Sequence, residues 1–245
     1  MLDLAFYTYF YGSNKNTAFS IPEIPSTKYK CYYFTNNERM MHYLKETKWI
    51  AVYDDKPTTD DMIQSNMVGK HVKTMPHEYA VLREYAYLCY IDSKVEKVNE
   101  QFVESYISKY FISQNYALLL REHPFVSPCV WNEYVESIIH QERYRMESQR
   151  YLDYIRGQLT SGLSKTTDKH AQCGFLIRNM RHPKTNEIGT TWYQHIQECG
   201  IQDQISFFFV KQLFDDGCIL PFSEYPYIWK PIKDDQPKQE QEQGQ

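Results

Sequence analysis

The sequence predicts an α/β domain: a mainly parallel central sheet flanked by helices. Short continuous apolar runs such as "YLCYI" (87–91) and "YALLL" (116–120) read as strands buried on both faces. Segments of helical periodicity separate such runs, as crossovers between parallel strands require. With 245 residues, the chain can bury one sizeable core.

The elements follow in order. "LAFYTYF" (4–10) is a first strand, stopped by Tyr11-Gly12-Ser13-Asn14, and "YKCYYFTNN" (29–37) is a second that ends in polar residues. "WIAVYDD" (49–55) is a third, ending at Asp54-Asp55. A helix is expected within 58–75, capped by Asp60 and ended by Pro76. The fourth strand, 87–91, runs into Asp92. Apolar residues at 102, 103, 106, 107, 110 and 111 mark one face of a helix over 99–112. The strand at 116–120 precedes a long helical stretch from about 130 to 159, and "CGFLIRN" (173–179) is another strand. Helices are expected at 190–199 and 203–214, with a late strand at 218–222. The expected domain occupies 1–230; residues 231–245 carry almost nothing apolar and are expected to form a disordered polar tail.

Composition excludes several classes. Hydrophobic residues are 42% and charged residues 24%, ordinary for a soluble globular protein. A net charge of −4 argues against nucleic acid as a partner, since phosphate neutralisation needs a basic surface. The six cysteines contain no Cys-x-x-Cys pair, which predicts free thiols and a reducing, cytoplasmic setting. No apolar run approaches the roughly 18 residues of a membrane span, and the N-terminus lacks the pattern of a signal peptide. Twenty-two tyrosines among 16% aromatic residues suit stacking on sugars or bases, but taken alone they are better read as a Tyr-rich core and surface.

The candidate site lies where strands end. Asn36, Asp54, Asp55, Asp92, His123 and Arg178 each stop an apolar run, and open α/β sheets bind ligands at the carboxyl ends of their strands. Loop entries show the same polarity, so position alone does not assign a role. Asp92 is a candidate ligand for a hard divalent cation that clamps a diphosphate, and Lys94, which cannot ligate, is a candidate phosphate contact. Lys70, His71 and Lys73 form either a phosphate-binding group or a solvated helix face. His123 and His182 each precede proline and can offer a neutral imidazole to a metal, or serve as structural histidines. Asp203 opens an apolar helix, where it is a cap, a general base or an acceptor-orienting carboxylate. No Walker loop, Rossmann glycine fingerprint, nucleophile elbow or His-Glu-x-x-His is present.

In order and spacing, the segments "KHVKTMPHEY…EYAYLCYIDSKVEKV", "LLLREHPFVSPCVWNEYVESII", "RYLDYIRGQLTSGL", "GFLIRN…H" and "WYQHIQECGIQDQISFFFV" are together similar to one family. They resemble the glycosyltransferase-like domain of the plant turgor-regulation-defect and mucilage-related proteins, which has bacterial and viral polysaccharide-enzyme relatives. The resemblance covers roughly residues 5 to 214. It implies a single GT-A domain, Rossmann-like, with a nucleotide-sugar donor, either a UDP- or a GDP-sugar, a glycan acceptor and Mn²⁺ or Mg²⁺.

By the same resemblance, Asp92 and Lys94 fall on the family's Asp-x-Lys, Lys73 and His77 on its Lys-x-x-Pro-His, and His123 and Glu133 on its His-Pro and downstream Glu. Asp203 falls on its Arg-Asp-Gln-x-Ser-Phe stretch, with Gln202 in place of the arginine. The implied roles are catalysis for Asp203 and Glu133. Donor binding falls to Asp92, Lys94, Lys73, Lys70, His77 and Arg178, and metal ligation to Asp92 with His182 and His123. "IRNMRHP" departs from the family's Arg-x-His. The expected activity is metal-assisted transfer of a sugar in glycan biosynthesis. The alternative, motivated by Lys94 and Gln202, is a catalytically inactive GT-A scaffold that binds a nucleotide or glycan.

Overall fold

The computed structural model describes residues 1–13, 21–214 and 217–229. The tail expected at 231–245 lies outside the described residues. Seven strands form the main sheet: β1 (Leu4–Phe10), β2 (Lys30–Thr35), β3 (Ile50–Tyr53), β4 (Tyr87–Ile91), β6 (Leu118–Glu122), β7 (Ala171–Asn179) and β8 (Ile219–Phe222). Their order is β3-β2-β1-β4-β7-β6-β8. β1, β2, β3 and β4 pair in parallel, as do β6 and β8, while β7 runs antiparallel to both its neighbours. Two further strands that carry no strong sequence signal, β5 (Val95–Val98) and β9 (Tyr227–Trp229), form a small antiparallel ribbon.

Period-two alternation sends each central strand's side chains to two cores. Leu4, Phe6, Cys89 and Ile91 pack on one face with Met40 and Leu44 of α1 (Glu38–Leu44) and Val103 of α3 (Glu100–Tyr106). α3 continues as a π-helical segment to Ile112. Ala5, Tyr7, Leu88 and Tyr90 pack on the other face. There they meet Val72 of α2 (Met62–Thr74), Trp192 and Ile196 of α7 (Thr185–Cys199), and Phe207 of α8 (Asp203–Val210).

The long helical stretch expected from 130 to 159 is broken into α4 (Val130–His140), α5 (Glu142–Arg145) and α6 (Ser148–Thr160). These three pack with α8 around a third apolar cluster that includes Val130, Tyr151, Ile155 and Phe209. The cap of α2 is Asp61 rather than Asp60: its carboxylate accepts from the amides of Ile63 and Gln64. All six cysteines are free in the structure. No helix among the described residues is long and apolar enough to cross a membrane.

The reversal of β7 decides what reaches which edge. Ile91 pairs with Phe175 and Leu88 with Arg178, so the start of β7 joins the carboxyl ends of the parallel strands. Its polar end, Arg178–Asn179, lies at the opposite edge.

Candidate functional site

A cleft of about 730 Å³ opens at the carboxyl edge of the sheet. The ends of β1 and β4, the start of β7, one face of α2, the helices α4 and α5, and the start of α8 enclose it. This position is the one from which open α/β sheets present ligand contacts. The sequence candidates Asp92, Lys94, Lys70, Lys73, His123, Glu133 and Asp203 all line it.

Asp92 is carried there by β4, whose five residues are all buried. Its amide bonds to the carbonyl of Gly174 at 2.8 Å, and its Oδ1 accepts from the amide of Lys94 at 2.9 Å. The backbone thereby turns back into β5 with the half-buried carboxylate at the cleft wall. The Lys94 side chain is exposed, yet the protein around it lowers its pKa against the pull of Asp92.

Lys70 and Lys73, one turn apart on α2, both reach Asp203. Their Nζ atoms lie 2.8 and 2.5 Å from the same oxygen, Oδ2. Lys70 is 7% exposed, Lys73 3% and Asp203 5%. Burial by itself raises a carboxyl pKa, but the two ammonium groups prevail and hold Asp203 at about 2. Asp203 is not the helix cap. Gln202 takes that role, its side chain accepting from the amide of Gln204. The two cations on Oδ2 of Asp203 lower its affinity for a proton, which works against the base role expected of it. Its geometry is that of a group that fixes two lysines in the cleft.

Glu133, on α4, is buried at the back of the cleft with both oxygens engaged. Oε1 accepts from Ser137, Gln202 and Gln204, and Oε2 lies 2.7 Å from Nε2 of His170. Burial pushes its pKa up, but His170 and the other donors bring it below the usual carboxylate range. Gln202 also donates to the Ser137 hydroxyl. The glutamine that replaces the expected arginine thus belongs to a hydrogen-bond network around the Glu133 carboxylate that ties α8 to α4.

His123 lines the cleft as a neutral donor. Its Nδ1 accepts from the amides of Val126 at 2.9 Å and Phe125 at 3.3 Å, which leaves the ring proton on Nε2. Burial, with His170 and Arg121 nearby, lowers its pKa to about 4. Such a ring presents an N–H rather than a lone pair, and does not suit metal ligation.

Three candidates lie elsewhere. Arg178 donates to the Tyr7 hydroxyl and the Lys73 carbonyl beneath α2, because the antiparallel β7 carries it to the far edge of the sheet. His182 follows β7 at that same edge, where its Nδ1 accepts from the Lys184 amide. His77 follows α2, packed beside Gly189. None of the three lines the cleft.

The structure also adds residues. Arg143, on α5, lines the cleft and, among the described residues, bonds to neutral partners, the side-chain oxygens of Gln141, Asn66 and Tyr144. It carried no sequence signal, being one of several charges in a long polar helix. Tyr9, last but one in β1, lines the cleft and stacks on Tyr90 with ring centroids 5.7 Å apart. An aromatic at a strand end was its available signal.

The donor set does not fit a protein-held metal ion. Among the described residues no group of three His, Cys, Asp or Glu side chains is placed to share one. Asp92 is the remaining candidate ligand, since Asp203 and Glu133 are engaged, His123 presents its N–H and His182 lies at the other edge.

This sheet, its helices and a cleft at the carboxyl edge define a GT-A-like fold. The structure of mouse xyloside xylosyltransferase 1, apo form, is similar at a TM-score of 0.50 and 8% identity, covering 89% of this chain and 84% of that one. No protein-family model and no curated protein matches the chain in sequence.

Proposed function

We propose that the protein is a glycosyltransferase that moves a sugar from a nucleotide-sugar donor to a hydroxyl of a glycan. The observation that carries this reading is the cleft itself: Lys70, Lys73, Lys94 and Arg143 converge beside Asp92 at the carboxyl edge of a GT-A-like sheet. The cations meet the donor's diphosphate. Tyr9 offers a ring face to a base or sugar, and His123 donates its Nε2 proton to a substrate oxygen.

In the reaction, the bond between the anomeric carbon and the diphosphate oxygen breaks, and its electron pair leaves with the nucleoside diphosphate. The acceptor oxygen forms the new bond, and its proton is released to water. Negative charge grows on the leaving group, so preorganised cations stabilise the transition state more than the ground state. Asp203 acts through the two lysines it holds. Asp92, which has no salt-bridge partner among the described residues, is left to accept a hydroxyl of the donor.

A panel of UDP-, GDP-, CDP- and ADP-sugars tests this by thermal shift and by slow donor hydrolysis. One donor is expected to stabilise the protein by about 2.7 kcal/mol at 100 times its dissociation constant. Absence of a shift with every donor overturns the reading. The occupied Asp203 favours a second reading, a scaffold that binds a donor without transferring it. Binding with neither hydrolysis nor transfer selects that one.

A further inference from the structure

Four cations and four carboxylates line the cleft, but they are unevenly paired. Of its four lining carboxylates, Glu133 is engaged by His170 and three neutral donors, and Glu136 pairs with His140 at the exposed rim. Lys70 and Lys73 both pair with Asp203, while Lys94 and Arg143 form no ion pair among the described residues. Two of these cations are nearly fully buried against one oxygen of one carboxylate, so the triad carries a buried surplus charge. Such a surplus is costly until an anion completes it. Arg143 has no carboxylate partner among the described residues, and its planar fork matches two oxygens of a phosphate.

A divalent ion in the same space would meet the reverse situation. It would find one available carboxylate, Asp92, with one oxygen already taken by the Lys94 amide, among four positive side chains. We infer that side-chain cations bind and neutralise the diphosphate of the donor without a divalent ion, Lys70, Lys73, Lys94 and Arg143 doing together what a bound metal does elsewhere. This rests on the nucleotide-sugar reading of the cleft, and it replaces the expected Mn²⁺ or Mg²⁺ with residues of this chain.

The test is calorimetric titration of UDP, GDP, CDP and ADP into the full chain, once in EDTA and once in Mn²⁺. At least one nucleotide is expected to bind in EDTA within about threefold of its affinity in Mn²⁺. The half-exposed Arg143 tolerates substitution, and Arg143→Gln is expected to weaken that binding by about tenfold or more in both buffers. Lys70→Met, which leaves Asp203 paired with Lys73, is expected to do the same, with its fold checked by melting. A larger gain in Mn²⁺, or wild-type affinity of Arg143→Gln in EDTA, overturns the inference while leaving the nucleotide reading standing. Binding of no nucleotide in either buffer overturns both.

Discussion

At the scale of the residue, Asp203 shows how one contact reassigns a role. As a cap it would tolerate Asp203→Asn, because asparagine caps about as well as aspartate. In the structure that substitution strips the shared carboxylate from two buried lysines. A cost of roughly 3–5 kcal/mol is expected, as when one partner of a buried ion pair is removed, and it is read as a lower melting temperature without ligand. The same contact predicts acid sensitivity. The Asp203 pKa is depressed from its ordinary value to about 2, so the folded state binds this proton less readily than the unfolded chain does. Its contribution is present above the unfolded pKa and is lost as pH falls through about 2. Urea midpoints measured from pH 5 downward should fall more steeply for the wild type than for Asp203→Asn.

At the scale of the element, α2 sets the lysines by lying close on β1. A Cβ added at Gly69 would stand 2.1 Å from the Tyr9 ring, so a side chain there must displace the ring or lift the helix. Gly69→Val is expected to cost about 1–3 kcal/mol by overpacking. It should also weaken nucleotide binding, because Lys70 and Lys73 move with the helix. The cap of the same helix makes a cleaner control. Asp61→Ala removes two hydrogen bonds at an exposed end and is expected to cost about 1 kcal/mol. Donor affinity in that variant should match wild type, which titration would check alongside the melt.

At the scale of the whole molecule, the composition of residues 231–245 sets an expectation for stability. That segment, "PIKDDQPKQEQEQGQ", has almost no apolar area to bury. Truncation after Lys230 is expected to leave the melting temperature unchanged. A drop of several degrees would show the segment docked on the domain. The main sheet was legible because its buried strands are continuous apolar runs bounded by polar residues, and β1 follows the expected 4–10 residue for residue. α1, β5 and β9 were not legible. Each is only 3 to 7 residues long, too short for periodicity to separate strand, helix and loop.

The sequence by itself determined the fold class, the strand ends that carry Asp92 and His123, and the helical face that brings Lys70 and Lys73 together, because these depend on local pattern. Tertiary structure decided what those groups are. A strand's direction is not encoded in its own residues, so only the sheet shows that β7 is reversed and that Arg178 and His182 leave the cleft. Asp203 and Lys73 are 130 residues apart in the chain, and no spacing rule foretells that they share one oxygen bond. The same holds for Arg143, whose meaning comes from the neutral partners around it and the cleft it faces. Charge becomes function only when burial fixes which groups can answer it, and burial is a property of the folded whole.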